Sequence, residues 1–339
     1  SDAIKSIPEF PPYKTKRIKT TWYTLIMKKY KNALFIYHRD LRINDNRALN
    51  DALEYSEAVT CAFVVDPVFN QKPEARQVAK QFLLAALQSL DEELHEKNAG
   101  LCLLSGIYVD VIRLFIELNS IDAVFVNCEY TDSGRKRLDR LRHFLVEHGI
   151  ELRVCDDVLL FPPGFIVKAD GLPYTVFTPF YNKARQYPVE KVKSMKRGVF
   201  KQPPRQYQFS SRALAKYWQI TPINYSIRNQ RTEVLSHLTE CKGYSAQRDF
   251  PALDATSHLS VHLKFGTLSV REAYWSIVKQ LGADSPLLRQ LYWRDFFSHI
   301  GFHFPHIFYR AFHLQYANIQ WSNDIQRFSR WCTGTTGFP

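Results

Sequence analysis

Between Ala33 and Cys155, short apolar runs alternate with stretches of helical periodicity, and this alternation constrains the fold of the 339-residue chain most. The apolar runs are Ala33–His38, Ala58–Val65, Leu101–Ser105, Ala123–Asn127 and Glu151–Cys155. The intervening stretches Glu74–Lys97, Val109–Asn119 and Ser133–His148 carry the 3.6-residue pattern of amphipathic helices. Strands separated by helices pair in parallel through right-handed crossovers, which predicts a doubly wound α/β domain. Ligands of such sheets sit beyond the carboxyl ends of the strands. The loops after His38, Val65 and Asn127 are therefore expected to line a crevice. No Gly-x-Gly-x-x-Gly follows the first strand, which argues against a dinucleotide dehydrogenase.

Four segments are expected. Residues 1–31 form a basic extension with Pro8, Pro11 and Pro12 and no secretory core. Residues 32–156 form the α/β domain. Residues 157–207, rich in proline and aromatics, connect it to a helical region; Phe165-Ile166-Val167 and Tyr174-Thr175-Val176 flank a turn at Asp170-Gly171 that suggests a small hairpin. Residues 208–339 read as helical, most clearly in Thr232–Lys242, Ser269–Leu281 and Pro286–Phe302.

The formal charge of +12 suits a polyanionic partner, nucleic acid above all. No apolar run is long enough to span a membrane, so no membrane partner is expected. None of the six cysteines lies in a Cys-x-x-Cys pair; Cys61, Cys102, Cys128 and Cys155 sit in or beside strand-like runs and read as buried, reduced thiols of an intracellular protein, cytoplasmic or nuclear. No metal site is expected: His299, His303 and His306 supply at most one helical face without an acidic partner. A Gly-x-Ser-x-Gly elbow and a P-loop are both missing.

Candidate chemistry concentrates between Gly243 and Arg294. Thr256, Ser257 and Ser260 place three hydroxyls at the expected start of a helix, where Thr256 or Ser257 can cap it and free N–H groups attract phosphate. In the charged loop Arg39-Asp40-Leu41-Arg42-x-x-Asp45-Asn46, an Asn or Asp caps the next helix and the arginines pair with acids; that structural role is preferred to direct ligand binding.

The run Tyr244…Arg248…Thr256-Ser257-x-Leu259-Ser260-x-x-Leu263-Lys264-Phe265-Gly266 closely resembles the flavin-binding signature of the DNA photolyase/cryptochrome family. Gln290-Leu291-Tyr292-Trp293-Arg294-Asp295-Phe296, His38-Arg39-Asp40-Leu41-Arg42-x-x-Asp45-Asn46 and Trp331-x-x-Gly334-x-Thr336-Gly337-Phe338-Pro339 resemble three further motifs of that family, in the family's order. The resemblance covers nearly the whole chain after Lys31, and it stops partway through the family's helical domain.

The resemblance implies an α/β antenna-type domain followed by the first part of an all-helical FAD-binding domain. The implied activity is light-driven, FAD-dependent repair of cyclobutane pyrimidine dimers in DNA, a carbon–carbon lyase reaction. By the same resemblance Tyr244, Thr256, Ser257, His258, Leu259, Ser260 and Arg294 hold the flavin; Arg248, Gln290 and Trp293 meet damaged DNA, Trp293 by stacking; and Trp321 begins an electron-transfer chain. Many family members carry Glu where Gln290 stands. An antenna chromophore of unspecified type is implied, and Tyr130-Thr131-Asp132-Ser133-Gly134 departs from the Asn-Glu pair that holds a folate antenna in some members. Family residues that would contact the isoalloxazine lie past the matched part. Little repair by this chain alone is therefore expected, unless a second polypeptide supplies the remaining helices. The competing expectations are a cryptochrome-like blue-light photoreceptor and an inactive fragment with residual DNA binding.

Overall fold

The computed structural model describes residues 28–67, 77–222 and 226–338. Five strands, β1 (Tyr30–Tyr37), β2 (Ser56–Val65), β3 (Leu101–Ser105), β4 (Ala123–Asn127) and β5 (Glu151–Cys155), form one parallel sheet in the order β3-β2-β1-β4-β5. Both faces are covered, which is why the strands read as continuous apolar runs. Ala33, Phe35 and Tyr37 face α1 (Arg47–Tyr55) and α2 (Gln77–His95); Leu34 and Ile36 face α3 (Tyr108–Asn119) and α4 (Asp132–Glu147). The doubly wound expectation is borne out.

Several boundaries move. The register pairs Tyr30 with Ser56, so β1 takes in two residues assigned to the extension and β2 begins before Ala58. Residues 1–27, and 68–76 of the loop after Val65 with the expected start of its helix, lie outside the described residues. The expected hairpin around Asp170-Gly171 is reduced to a turn with one bridge, Val167 to Pro173. Cys61 and Cys102 are buried as expected, whereas Cys128 and Cys155 are half-buried; all are free thiols. The single helix expected over Thr232–Lys242 is instead α7 (Ile227–His237) followed by a 3-10 segment, Leu238–Gly243, kinked at Cys241.

The helical part comprises α5 (Phe177–Ala184), α6 (Ser211–Trp218), α7, α8 (Tyr244–Gln247), α9 (Leu259–Phe265), α10 (Val270–Leu281), α11 (Pro286–His303) and α12 (Ile325–Cys332). Local chemistry starts the longer helices. Ser269 accepts from the Glu272 N–H at 2.9 Å with Glu272 three residues on, a capping-box pattern, and Ser285 precedes Pro286 at the first helical position. A second core joins α9, α10 and α11 to Leu160, Phe161, Ile166, Phe177 and Phe180, so the connector contributes packing as well as linkage. From His313 to Phe338 every described residue is exposed, including Trp321, Phe328 and Trp331.

A buried polar hub fastens the two parts. Arg271 reaches Asp45 through Nε at 2.8 Å and Asp157 through Nη2 at 2.7 Å, and its Nη1 donates to the Asp157 carbonyl at 3.0 Å. Arg42 pairs with Asp157 and donates to the Gly266 carbonyl at 3.1 Å. Gly266 has φ +70°, and a Cβ there would lie 2.0 Å from the Arg39 carbonyl oxygen, so backbone approach requires glycine. Asn46 caps α1 by accepting from the Leu49 N–H at 3.1 Å. The charged loop after β1 is thus mainly a structural interlock, as expected.

Candidate functional site

From β1 the chain winds outward through β2 to β3, then returns to the other side of β1 to lay down β4 and β5. The strand order therefore reverses between β1 and β4. The carboxyl ends of these two strands flank the topological switch point where such folds bind ligands. A cavity of 820 Å³ opens there, lined by Arg39, Glu129, Tyr130 and Thr131 from the α/β domain and by residues of α8, α9 and α11.

Eight of the residues singled out by sequence line this cavity: Tyr244, Thr256, Ser257, His258, Leu259, Ser260, Gln290 and Arg294. Lys264 joins them. Arg248 does not. It follows α8, stands 5.6 Å from the Tyr244 ring centre and 3.6 Å from an Asp249 carboxylate oxygen. Trp293 is also outside the lining; its ring stacks on Phe177 at 3.6 Å with 8° between the planes and on Phe297 at 5.4 Å. Trp321 is 75% exposed and takes no part in the cavity lining.

The entry to α9 differs from expectation. Neither Thr256 nor Ser257 caps it: His258 occupies the cap position in the left-handed region, φ +52°, and no side chain accepts from the first turn. The extra residue and its turned backbone put both hydroxyl residues upstream of the helix. Among the described residues no hydrogen bond is made by the hydroxyls of Thr256, Ser257 or Ser260. They remain available to a ligand.

Arg294 has a structural duty too. Its Nη1 donates to the Val158 carbonyl at 2.6 Å and its Nη2 to that of Leu263 at 3.4 Å, tying α11 to the connector and to α9. Burial lowers its pKa, partly countered by the Asp295 charge. Asp295 accepts from the N–H groups of Leu160 and Phe161 at 2.9 and 3.1 Å through one oxygen, while the other makes no hydrogen bond among the described residues and only faces Arg294 Nη1 at 3.8 Å. Burial pushes its carboxyl up to about 7. On the same helix, burial and neighbouring His303 hold His299 down to about 4, so it is a neutral core histidine.

Arg39, after β1, and Glu129, Tyr130 and Thr131, after β4, fall in loops expected to line the crevice, although sequence reasoning singled out none of them as site residues. Glu129 is paired with Arg39 at 3.2 Å and with Arg137, and Thr131 caps α4 by accepting from the Gly134 N–H at 3.2 Å. The signal was present, since these residues directly follow the carboxyl ends of β1 and β4. A further concavity of 970 Å³ near α2, α7 and α10 is lined by the ion pairs Arg228–Glu96 and Arg231–Glu272, together with Glu93 and Lys97.

Residues 33–197 match the family model described as DNA photolyase, and residues 287–339 match that of the FAD binding domain of DNA photolyase. The deoxyribodipyrimidine photo-lyase of Alkalihalophilus pseudofirmus is 29% identical over 325 residues, covering 89% of this chain and 66% of the relative. That of Escherichia coli is 27% identical over 335 residues, covering 89% and 67%. This chain thus spans about two thirds, 66%, of the length of such relatives. The cryptochrome of Synechocystis sp. shares the fold, with a TM-score of 0.77 at 21% identity over 92% of this chain and 70% of that one. An archaeal photolyase from Sulfolobus tokodaii, crystallised with two FAD molecules, superposes with a TM-score of 0.78 at 31% identity, covering 91% of this chain and 68% of that one. Similarity of that extent, in sequence and in fold together, places the chain in the DNA photolyase/cryptochrome family.

Proposed function

We propose that the cavity binds FAD and that the chain serves light-driven repair of cyclobutane pyrimidine dimers in DNA. The observation that carries this reading is the set of uncommitted hydroxyls of Thr256, Ser257 and Ser260 on a cavity of 820 Å³ at the switch point. That volume falls within the roughly 300–1,000 Å³ of cofactor sites. Hydroxyl donors and the uncapped first turn of α9 suit phosphate, and Lys264 adds positive charge. Tyr244 and Leu259 offer apolar surface to the cofactor, and Gln290 offers an amide that both donates and accepts. When bound, FAD supplies light absorption and one-electron donation. The protein's own residues bind the phosphates, fix the cofactor's position and narrow access to water.

Damaged DNA is the partner this reading requires, and the +12 charge supports it. Arg248, exposed beside Tyr244, is placed to meet a phosphate outside the cavity. Within this reading, the exposed apolar side chains of α12 are a face on which further helices or a second polypeptide pack. Trp321 would pass electrons only through partners added there. No antenna type is favoured by the crevice residues, since Glu129, Arg39 and Arg137 satisfy one another.

One observation favours the photoreceptor reading over repair. Trp293, expected to stack on an extruded base, is already stacked on Phe177 and Phe297. A blue-light assay of dimer splitting by the FAD-loaded chain, with and without added helices, separates the two. Splitting that requires light supports repair. Flavin binding without splitting in either arrangement supports the photoreceptor.

A further inference from the structure

We propose that His237, Asp254 and His258 form a binding site for a zinc-class divalent cation. Their donor atoms, one from each residue, lie within 4.8 Å of one another. They come from three places: the last residue of α7, the loop before the hydroxyl cluster, and the cap position of α9. His258 Nε2 is 2.6 Å from Asp254 Oδ1, and the two imidazole rings are 5.6 Å apart centre to centre. Glu240 stands by, with a carboxylate oxygen 3.3 Å from His237 Nδ1.

The chemistry of the set is selective. Two imidazole nitrogens and a carboxylate oxygen are borderline donors that suit zinc rather than magnesium or calcium, which prefer oxygen alone. Tetrahedral zinc with bonds of about 2.0–2.1 Å holds its donors about 3.3 Å apart. One pair is already closer than that, and rotation of the exposed side chains can draw in the third. Three protein donors leave a fourth position for Glu240 or water. No spacing motif announces the set, because His237 and His258 are far apart along the chain and the 3-10 segment after α7 brings them together.

His258 also lines the proposed FAD cavity, so the cation would sit at its rim; the test below is run without FAD, which separates failure of this site from failure of the FAD reading. Its structural effect is to clip the loop carrying Thr256 and Ser257 to the end of α7. His237 Nε2 is also within 3.2 Å of the Thr256 carbonyl oxygen, so that loop is already drawn toward the histidine.

The test uses tag-free, chelator-treated full chain titrated with Co²⁺ and then Zn²⁺. The expected result is one Co²⁺ per chain with visible absorption of a tetrahedral ion, displaced by Zn²⁺. Affinity should fall by more than about 100-fold in Asp254→Asn and in the double variant His237→Asn/His258→Asn, since even outer partners of a ligand are worth 10–100-fold. Zn²⁺ should raise the unfolding temperature of the parent chain and not of the double variant. The three residues are exposed or half-buried, so circular dichroism of metal-free variants should match the parent. Absence of saturable binding overturns the proposal. So does binding that persists unchanged in the double variant, which would assign the ion to other histidines.

Discussion

After α9, Ser269 and Arg271 are buried and all three guanidinium nitrogens of Arg271 are hydrogen-bonded to Asp45 or Asp157. Before α9, Thr256, Ser257 and Ser260 border a cavity and their hydroxyls are bonded to nothing among the described residues. The two clusters share one short helix and use polarity in opposite ways. Buried ions persist only when paired and hydrogen-bonded, so a completed network marks a structural fastening. Polar groups left uncommitted on a concave surface cost the fold little and are free for a ligand. Asp295 sits between these cases, with one oxygen satisfied and the other not.

Cutting the buried hub should have the largest effect. Arg271→Met leaves Asp45 and Asp157 buried without their shared cation and should cost about 3–5 kcal/mol of stability, measured by urea unfolding. A loss below about 1 kcal/mol would mean the hub is not a fastening.

The cavity should behave in the reverse manner. Replacing Thr256, Ser257 and Ser260 together by Ala removes donors worth about 0.5–1.5 kcal/mol each, which amounts to roughly 100-fold in FAD affinity. Stability should change by no more than about 0.5 kcal/mol, because no hydrogen bond within the protein is lost.

Asp295 sharpens the intermediate case through pH. The carboxyl loses its proton near pH 4 in the unfolded chain and near 7 in the folded one, because burial raises it. Between those values the native state holds the extra proton, so this residue's contribution to stability falls as pH rises from about 4 to about 7 and is level above. Asp295→Asn should flatten that slope and stabilise the protein at pH 8 by on the order of 1–3 kcal/mol. A slope unchanged by the substitution would assign it to another group, such as Asp40, which burial raises to about 6.

The smallest expected effect is at Arg248, exposed outside the cavity and 3.6 Å from an Asp249 carboxylate oxygen. Arg248→Ala should reduce the slope of log affinity for DNA against log salt by about 1. A flat salt dependence in the parent chain would contradict the polyanion reading altogether.

Much of this was legible in the residues. β3, β4 and β5 begin and end where the sequence placed them; β4 is buried throughout because both sheet faces are covered there, whereas the edge strand β5 is half-buried and carries Glu151 and Arg153. Asn46 announced its cap by position, whereas Ser269, expected as the first residue of its helix, is the cap that precedes it. Thr256 and Ser257 misled for a related reason: the same residue types cap helices and bind anions, and only the turned backbone at His258 decides between them. Trp293 illustrates a second limit. Phe297 lies four residues on and is a neighbour by helical spacing alone, whereas the closer stacking partner, Phe177, is remote in sequence. The metal-type cluster was hidden likewise, by a 3-10 segment that no periodicity reveals.

The most direct test of the central claim is equilibrium titration of FAD onto the purified chain, followed by quenching of flavin fluorescence, in the parent and in the Thr256→Ala/Ser257→Ala/Ser260→Ala variant. Saturable binding of one FAD per chain is expected, weakened about 100-fold in the variant with its unfolding curve unmoved. Failure of the parent to bind, or equal affinity in parent and variant, would contradict it.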